Sequence, residues 1–224
     1  MPSRLPSHCV CGKDFSLSHA LSCPHGAFPI IRHNEIRNLT ASLMSEVCHN
    51  VQIEPQLHPL SGETLHYRSA IQDDDARVDI RASDFWRCLR HHTFFDVRVF
   101  NCFAASNRSS TLSTAFRKHE LEKRRAYEER IREVEHGSFT PLVFSTSGGM
   151  GRAATTTYKH LARLLSEKWN SPYSVVMGWL RCSLGFSLLR SSVMCIRGSR
   201  SRSKCPCVPP AVDLAVAEGH LPAY

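Results

Sequence analysis

The run TFFDVRVF, residues 93–100, reads as a β-strand, yet it carries Asp96 and Arg98 among Phe and Val. Alternation sets Phe94, Asp96, Arg98 and Phe100 on one face and Phe95, Val97 and Val99 on the other. A carboxylate beside a guanidinium on a largely apolar strand is costly to bury unless something binds it. Any fold for this chain must therefore supply Asp96 with a partner.

The segments around that strand set the fold class. RHNEIRNLTASLMSEVCHN carries Ile36, Leu39, Leu43 and Val47 at helical spacing. VQIEPQL, ARVDIRA and TFFDVRVF read as three strands, with a polar loop holding SGET and QDDD after the first. A long charged helix closes at Gly137, FTPLVFSTSGG is a fourth strand, and two more helices follow, the last over residues 173–197. The order of helix, three strands, helix, strand, helix predicts an α/β (α+β) sandwich on one four-stranded mixed sheet. Four segments are expected: a Cys/His-rich piece at residues 8–25, a main domain at 28–170, a packing helix at 171–198, and a Ser/Arg- and Pro-rich tail at 199–224 expected to be mostly disordered.

Charge and cysteine usage bear on partners. With 28 Lys and Arg against 20 Asp and Glu, the formal charge of +8 favours a polyanion, nucleic acid first and acidic membrane second. The chain opens without an apolar leader, so its ten cysteines point to a reducing compartment, buried or holding metal. The most apolar stretch, residues 175–196, is interrupted by Arg181 and Arg190. A central Arg costs about 2.5–3.5 kcal/mol in a membrane, so a packed helix is expected there.

In ARVDIRA, Asp79 falls between Val78 and Ile80 and on the opposite face from them. A hairpin-like connection would bring Asp79 and Asp96 to one face of adjacent strands. Two inward carboxylates repel and raise one another's pKa, a conflict that Mg²⁺ or Mn²⁺ resolves. The alternative is that each pairs with Arg77, Arg81 or Arg98. On the long helix, Phe116, Glu120, Tyr127, Ile131 and Val134 share a stripe with Lys123 beside it, which brings an amine and a phenol toward the same face.

Asp79, then Asp96-Val97-Arg98, in that order of elements, resembles the PD-(D/E)XK restriction-endonuclease fold. Val78 stands where the family has Pro, and Arg98 where it has Lys. An Arg can clamp a phosphate but cannot act as base. In some branches the Lys role comes from the following helix beside a Tyr, and KRRAY supplies Lys123 or Arg124 with Tyr127. The resemblance also implies that a first-helix Glu, here Glu35, can complete the metal site; a solvated carboxylate is the alternative.

Cys9, Cys11, His19 and Cys23 make a tetrahedral Zn²⁺ set, with His25 able to replace His19 or Cys23. A Cys-Cys-His-Cys knuckle, RHNEIR, the carboxylate strands and a basic-x-x-Tyr helix together resemble the restriction-like endonuclease of site-specific non-LTR (LINE-type) retrotransposon polyproteins, over roughly residues 8–170. The resemblance implies a nucleus-directed nuclease that nicks target DNA to prime reverse transcription, with element RNA as a further partner. Eight residues precede the knuckle, so a detached or truncated fragment is expected. In this reading Asp79, Asp96 and Glu35 hold the metal and Lys123 orients water. Arg98 and Arg124 contact phosphate, Tyr127 supports them, and Arg32 and His33 meet nucleic acid. The alternatives are a catalytically degenerate nucleic-acid-binding remnant and a host repair or recombination nuclease. Asp73-Asp74-Asp75 reads as a solvated loop, and residues 145–151, STSGGMG, as a turn between strand and helix rather than a nucleotide site.

Overall fold

The strand expected at residues 93–100 forms over His92–Phe100 (β3) and has a neighbour on each side in a four-stranded sheet. The computed structural model describes residues 7–58, 77–86, 91–107 and 110–198. In chain order they form α1 (Leu17–Ala20), α2 (Phe28–Ser45), β1 (His49–Ile53), β2 (Ile80–Ser83), β3, α3 (Leu112–Glu133), β4 (Ser138–Ser145), α4 (Arg152–Lys168) and α5 (Tyr173–Gly198). The SGET loop, Asp73-Asp74-Asp75, Cys88 and everything from residue 199, including Cys205 and Cys207, lie outside the described residues.

The sheet runs β1-β2-β3-β4, antiparallel across the first three strands and parallel between β3 and β4. Parallel neighbours need a long crossover, and α3 supplies it. Pro141 lies beside Asp96 in the ladder, where its missing N–H is tolerated because β4 is an edge strand. The class is α+β with a mixed sheet.

Alternation along β3 divides its side chains between two cores. Phe95 and Val97 enter the larger one with Leu142 and Phe144 of β4, Ile36 and Met44 of α2, and Tyr158 and Leu161 of α4. Leu180, Leu184 and Leu188 of α5 complete it, so α5 is part of the domain's main core. On the other face, Phe94 packs with Tyr127, Ile131 and Phe139, and Phe100 with Phe116 and Val143. Asp96 and Arg98 lie between those two apolar clusters, beneath α3.

One expectation about β2 fails. Regular pairing starts only at Ile80, and Asp79 sits at a bend. Val78 joins Phe94 and Tyr127 under α3, whereas Ile80 enters the opposite core. Val78 and Ile80 therefore do not share a face. The bend breaks the period of two while the backbone stays tied to both neighbours: the Asp79 N–H donates to Phe95 O (3.1 Å), and Asp79 O accepts from the Glu54 N–H (2.8 Å).

Candidate functional site

The Cys/His-rich segment is a small hairpin followed by one helical turn. The Cys9 N–H donates to Lys13 O (2.8 Å) and the Phe15 N–H to Ser7 O (2.9 Å). Gly12 closes the turn at a φ of +87°, a conformation that favours glycine. Ser16 caps α1 by accepting the His19 N–H (3.0 Å), which turns the His19 ring back toward the hairpin. The ligand atoms of Cys9, Cys11, His19 and Cys23 all lie within 4.8 Å of one another. Cys9 Sγ and Cys23 Sγ are 3.8 Å apart, and Cys11 Sγ is 3.1 Å from His19 Nε2. Tetrahedral zinc with Zn–S bonds of ~2.3 Å would separate two sulfurs by about 3.8 Å, so these donors fit that ion. His25, the alternative ligand, is outside the cluster.

The knuckle is anchored to the domain. Asn101, at the end of β3, donates to Ser18 O and Ser22 Oγ (both 2.9 Å), and Ser18 Oγ donates to Phe103 O (3.0 Å). Leu21 packs on Phe28 and Cys195. Arg32 completes this seam, donating from Nη1 to Leu21 O (3.1 Å). It is only 3% exposed, so the nucleic-acid-binding role expected for Arg32 is corrected: it is an internal strut between α2 and the knuckle. Burial holds its guanidinium below the usual arginine range. Arg32→Ala should destabilise the protein by about 2–4 kcal/mol, by orphaning the Leu21 carbonyl and opening a cavity. DNA affinity of the folded fraction should not change. Weakened DNA binding at full stability would return Arg32 to the surface role.

Asp79 and Asp96 come together where β2 and β3 diverge. The antiparallel register pairs Ile80 with Phe95, so one step further sets the two aspartates opposite each other. There the backbone ladder is replaced by a side chain: Asp79 Oδ2 accepts the Val97 N–H at 2.6 Å and His33 Nε2 at 3.1 Å. His33 Nε2 also lies 3.0 Å from Val97 O, an acceptor only, so this nitrogen carries the proton. Burial would lower the His33 pKa, but the hydrogen bond and charge of Asp79 outweigh it and the net shift is upward.

Asp96 is 4% exposed, and Lys123 Nζ sits 2.9 Å from its Oδ2. Among the described residues, that charged contact is the one partner of the buried Oδ2. Burial pushes the Asp96 carboxyl up to about 6; the Lys123 charge opposes the shift, and the Asp79 charge adds to it. The half-buried Asp79 and the buried Asp96 are thus neighbours across the strands, with an ammonium on the second. Neither aspartate takes the arginine partner that was the alternative.

Other expected site residues divide by position. Lys123 also lies over the Tyr127 ring, 5.5 Å from its centroid, and Tyr127 packs on Phe139. Arg98 reaches Glu122 of α3 at 3.1 Å, and Glu122 also holds His119 at 3.3 Å. Arg124 pairs with Glu128 at 2.5 Å along α3. Glu35 is not turned to the two aspartates: Arg190 Nη2 (2.7 Å) and Ser191 Oγ of α5 both bond it. The glycine turn spends its amides internally, with Gly148 N–H on Ser145 O (3.0 Å), Gly149 N–H on Ser145 Oγ (2.9 Å) and Gly151 N–H on Val143 O (2.8 Å). Its seven residues form the expected turn.

Two links were not read from the sequence. His33 faces the carboxylates, and Glu122 ties Arg98 to the helix. Glu122 is one residue from Lys123, which places it over the same strand, so helical spacing carried that signal. His33 had no such cue.

Among the described residues, no helix is long and apolar enough to cross a membrane. No protein-family model matches the chain. No curated protein matches it either.

Proposed function

We propose that this chain is a divalent-metal-dependent DNA endonuclease with a PD-(D/E)XK core, derived from a site-specific non-LTR retrotransposon and acting in the nucleus. The observation that carries the reading is the convergence of Asp79 and Asp96 at one end of two strands, with the Lys123 ammonium 2.9 Å from Asp96. Asp79 and Asp96 would hold Mg²⁺ or Mn²⁺. Such a cation, when bound, supplies a water of lowered pKa and charge stabilisation at a scissile phosphate.

The chain's own groups divide the remaining work. His33 fixes the Asp79 carboxylate by donating to it, which holds its orientation. Lys123 neutralises Asp96 and, once that charge is balanced otherwise, its ammonium is free to orient a water or a phosphate oxygen. The Tyr127 ring limits the directions that ammonium can take. Arg98 reaches a phosphate only by exchanging Glu122 for it. Arg124 does so only by leaving Glu128. The +8 charge supports a nucleic-acid partner, DNA first and element RNA second. The zinc knuckle is structural in this scheme.

The second reading, a catalytically degenerate nucleic-acid-binding remnant, is favoured by Arg98, which stands in the Lys position and is engaged by Glu122. Nicking of supercoiled plasmid with Mg²⁺ or Mn²⁺ separates the two. The wild-type chain should nick, and Asp96→Asn should lose at least about 100-fold in rate while still binding DNA. Binding without cleavage in the wild type would leave the remnant reading standing. Cutting confined to branched or flapped substrates would favour a host repair nuclease.

A further inference from the structure

Helix α5 is apolar on two sides; the domain fills one, and on the other it reaches, among the described residues, only Trp179, whose ring meets Trp169 edge-on at 5.3 Å. Val176, Met177, Leu180, Leu184 and Leu188 fill the main core. On the other side Val175, Trp179, Cys182, Phe186, Leu189, Val193 and Ile196 follow one another at spacings of four and three throughout. All but the half-buried Ile196 are exposed, Phe186 by 71% and Leu189 by 60%. A helix apolar all round is normally covered all round. The period of 3.5 specifies what covers it, because that is the repeat of a seam between two helices.

Gly178 and Gly185, seven residues apart, border this seam beside Trp179 and Phe186. Glycine within a helix is destabilising, and here nothing in the domain requires it: a Cβ at either position would meet no atom within 4 Å. Their use is to let another backbone approach. Among the described residues, α2, α3 and α4 already turn their apolar stripes inward, so the mate is not one of them.

We infer that α5 pairs antiparallel with α5 of a second copy, making the protein a homodimer. In that arrangement Trp179 meets Leu189, Cys182 meets Phe186 and Val175 meets Val193 of the second copy, large against small. Gly185 lies close to the two-fold axis and Gly178 opposite Ser192, which brings small residues together where the helices come nearest. With a full aromatic side chain offering about 150–250 Å², the exposed fractions of the stripe give roughly 500 Å² per copy. Two copies with their flanking positions then reach the ~1,000 Å² or more that a specific interface needs. The seam spans about 32 Å, three heptads. The inference does not depend on the nuclease reading.

Sedimentation equilibrium of the full chain at tens of micromolar tests it. The wild type should run as a dimer, and the double variant Phe186→Glu, Leu189→Glu as a folded monomer. A second variant guards against misfolding: Gly185→Gln adds a good helix former into open space in one copy but obstructs the axis between two. It should weaken the dimer at least tenfold without lowering helix content. A monomeric wild type would overturn the proposal and give the stripe to residues 199–224 or to another protein. A dimer that survives the double variant would overturn it equally, because its interface would lie elsewhere.

Discussion

Asp96→Asn is expected to make the protein more stable at pH 8 while removing the nicking activity proposed for it. The Asp96 carboxyl titrates near 6 in the fold, against 3.8 for the free side chain, because burial and the Asp79 charge outweigh Lys123. Folded protein therefore binds this proton more tightly than unfolded protein does. Stability is full below pH ~4 and is lost as pH rises through the window from 3.8 to about 6. Two units correspond to roughly 3 kcal/mol, a net in which the loss of the Lys123 pairing is already counted, so a gain of up to about 3 kcal/mol is expected above pH 7. For a chain of this size that is several degrees in Tm. Thermal melts of both proteins at pH 4 and pH 8 measure it, and the difference should vanish at the lower pH. Millimolar Mg²⁺ should raise the wild-type Tm and leave the variant unmoved. A variant less stable than wild type at pH 8 would make Asp96–Lys123 an ordinary structural ion pair.

Cys23→Ser, or stripping by a strong chelator, is expected to release one zinc per chain and open the N-terminal seam. The knuckle is too small for its own core, and it closes over Leu21, Phe28 and Cys195. Without metal the Leu21 carbonyl moves away and the buried Arg32 charge loses its best acceptor. Uncompensated buried charges cost about 3–5 kcal/mol, so the loss should be visible in urea melts and as amide exchange spreading from residues 7–25 into the start of α2. Metal analysis of the purified chain gives the direct reading. No bound zinc, or a Cys23→Ser melt identical to wild type, would sink the assignment.

The fold was legible wherever one period dominated. Alternation along TFFDVRVF set Phe94 and Phe100 on one face and Phe95 and Val97 on the other, and the structure packs the first pair under α3 and the second in the larger core. Helical spacing brought Lys123 and Tyr127 to the strand that carries Asp96. The cysteine spacing marked the four knuckle ligands because nothing else in that segment could bury them. Period failed where the chain bends: at Asp79 the two-residue repeat stops, and Val78 turns to the face Ile80 avoids. Glu35 was out of reach for another reason, since its partners Arg190 and Ser191 lie more than 150 residues away. Arg32 was misread although its signal was present. It stands four residues before Ile36, on the same buried stripe as Thr40 and Leu43.

The bond from the Val97 amide to Asp79 divides the fates of the two acids. Asp79 closes the notch between two strands, so the architecture alone is reason to retain it. Asp96 makes no such repair and burdens the fold at neutral pH. If the proposed nuclease reading holds, a lineage that stopped cutting DNA would lose nothing in folding by discarding Asp96, and would gain some resilience. The second acid, rather than the first, would then be the sensitive record of whether that chemistry is in use.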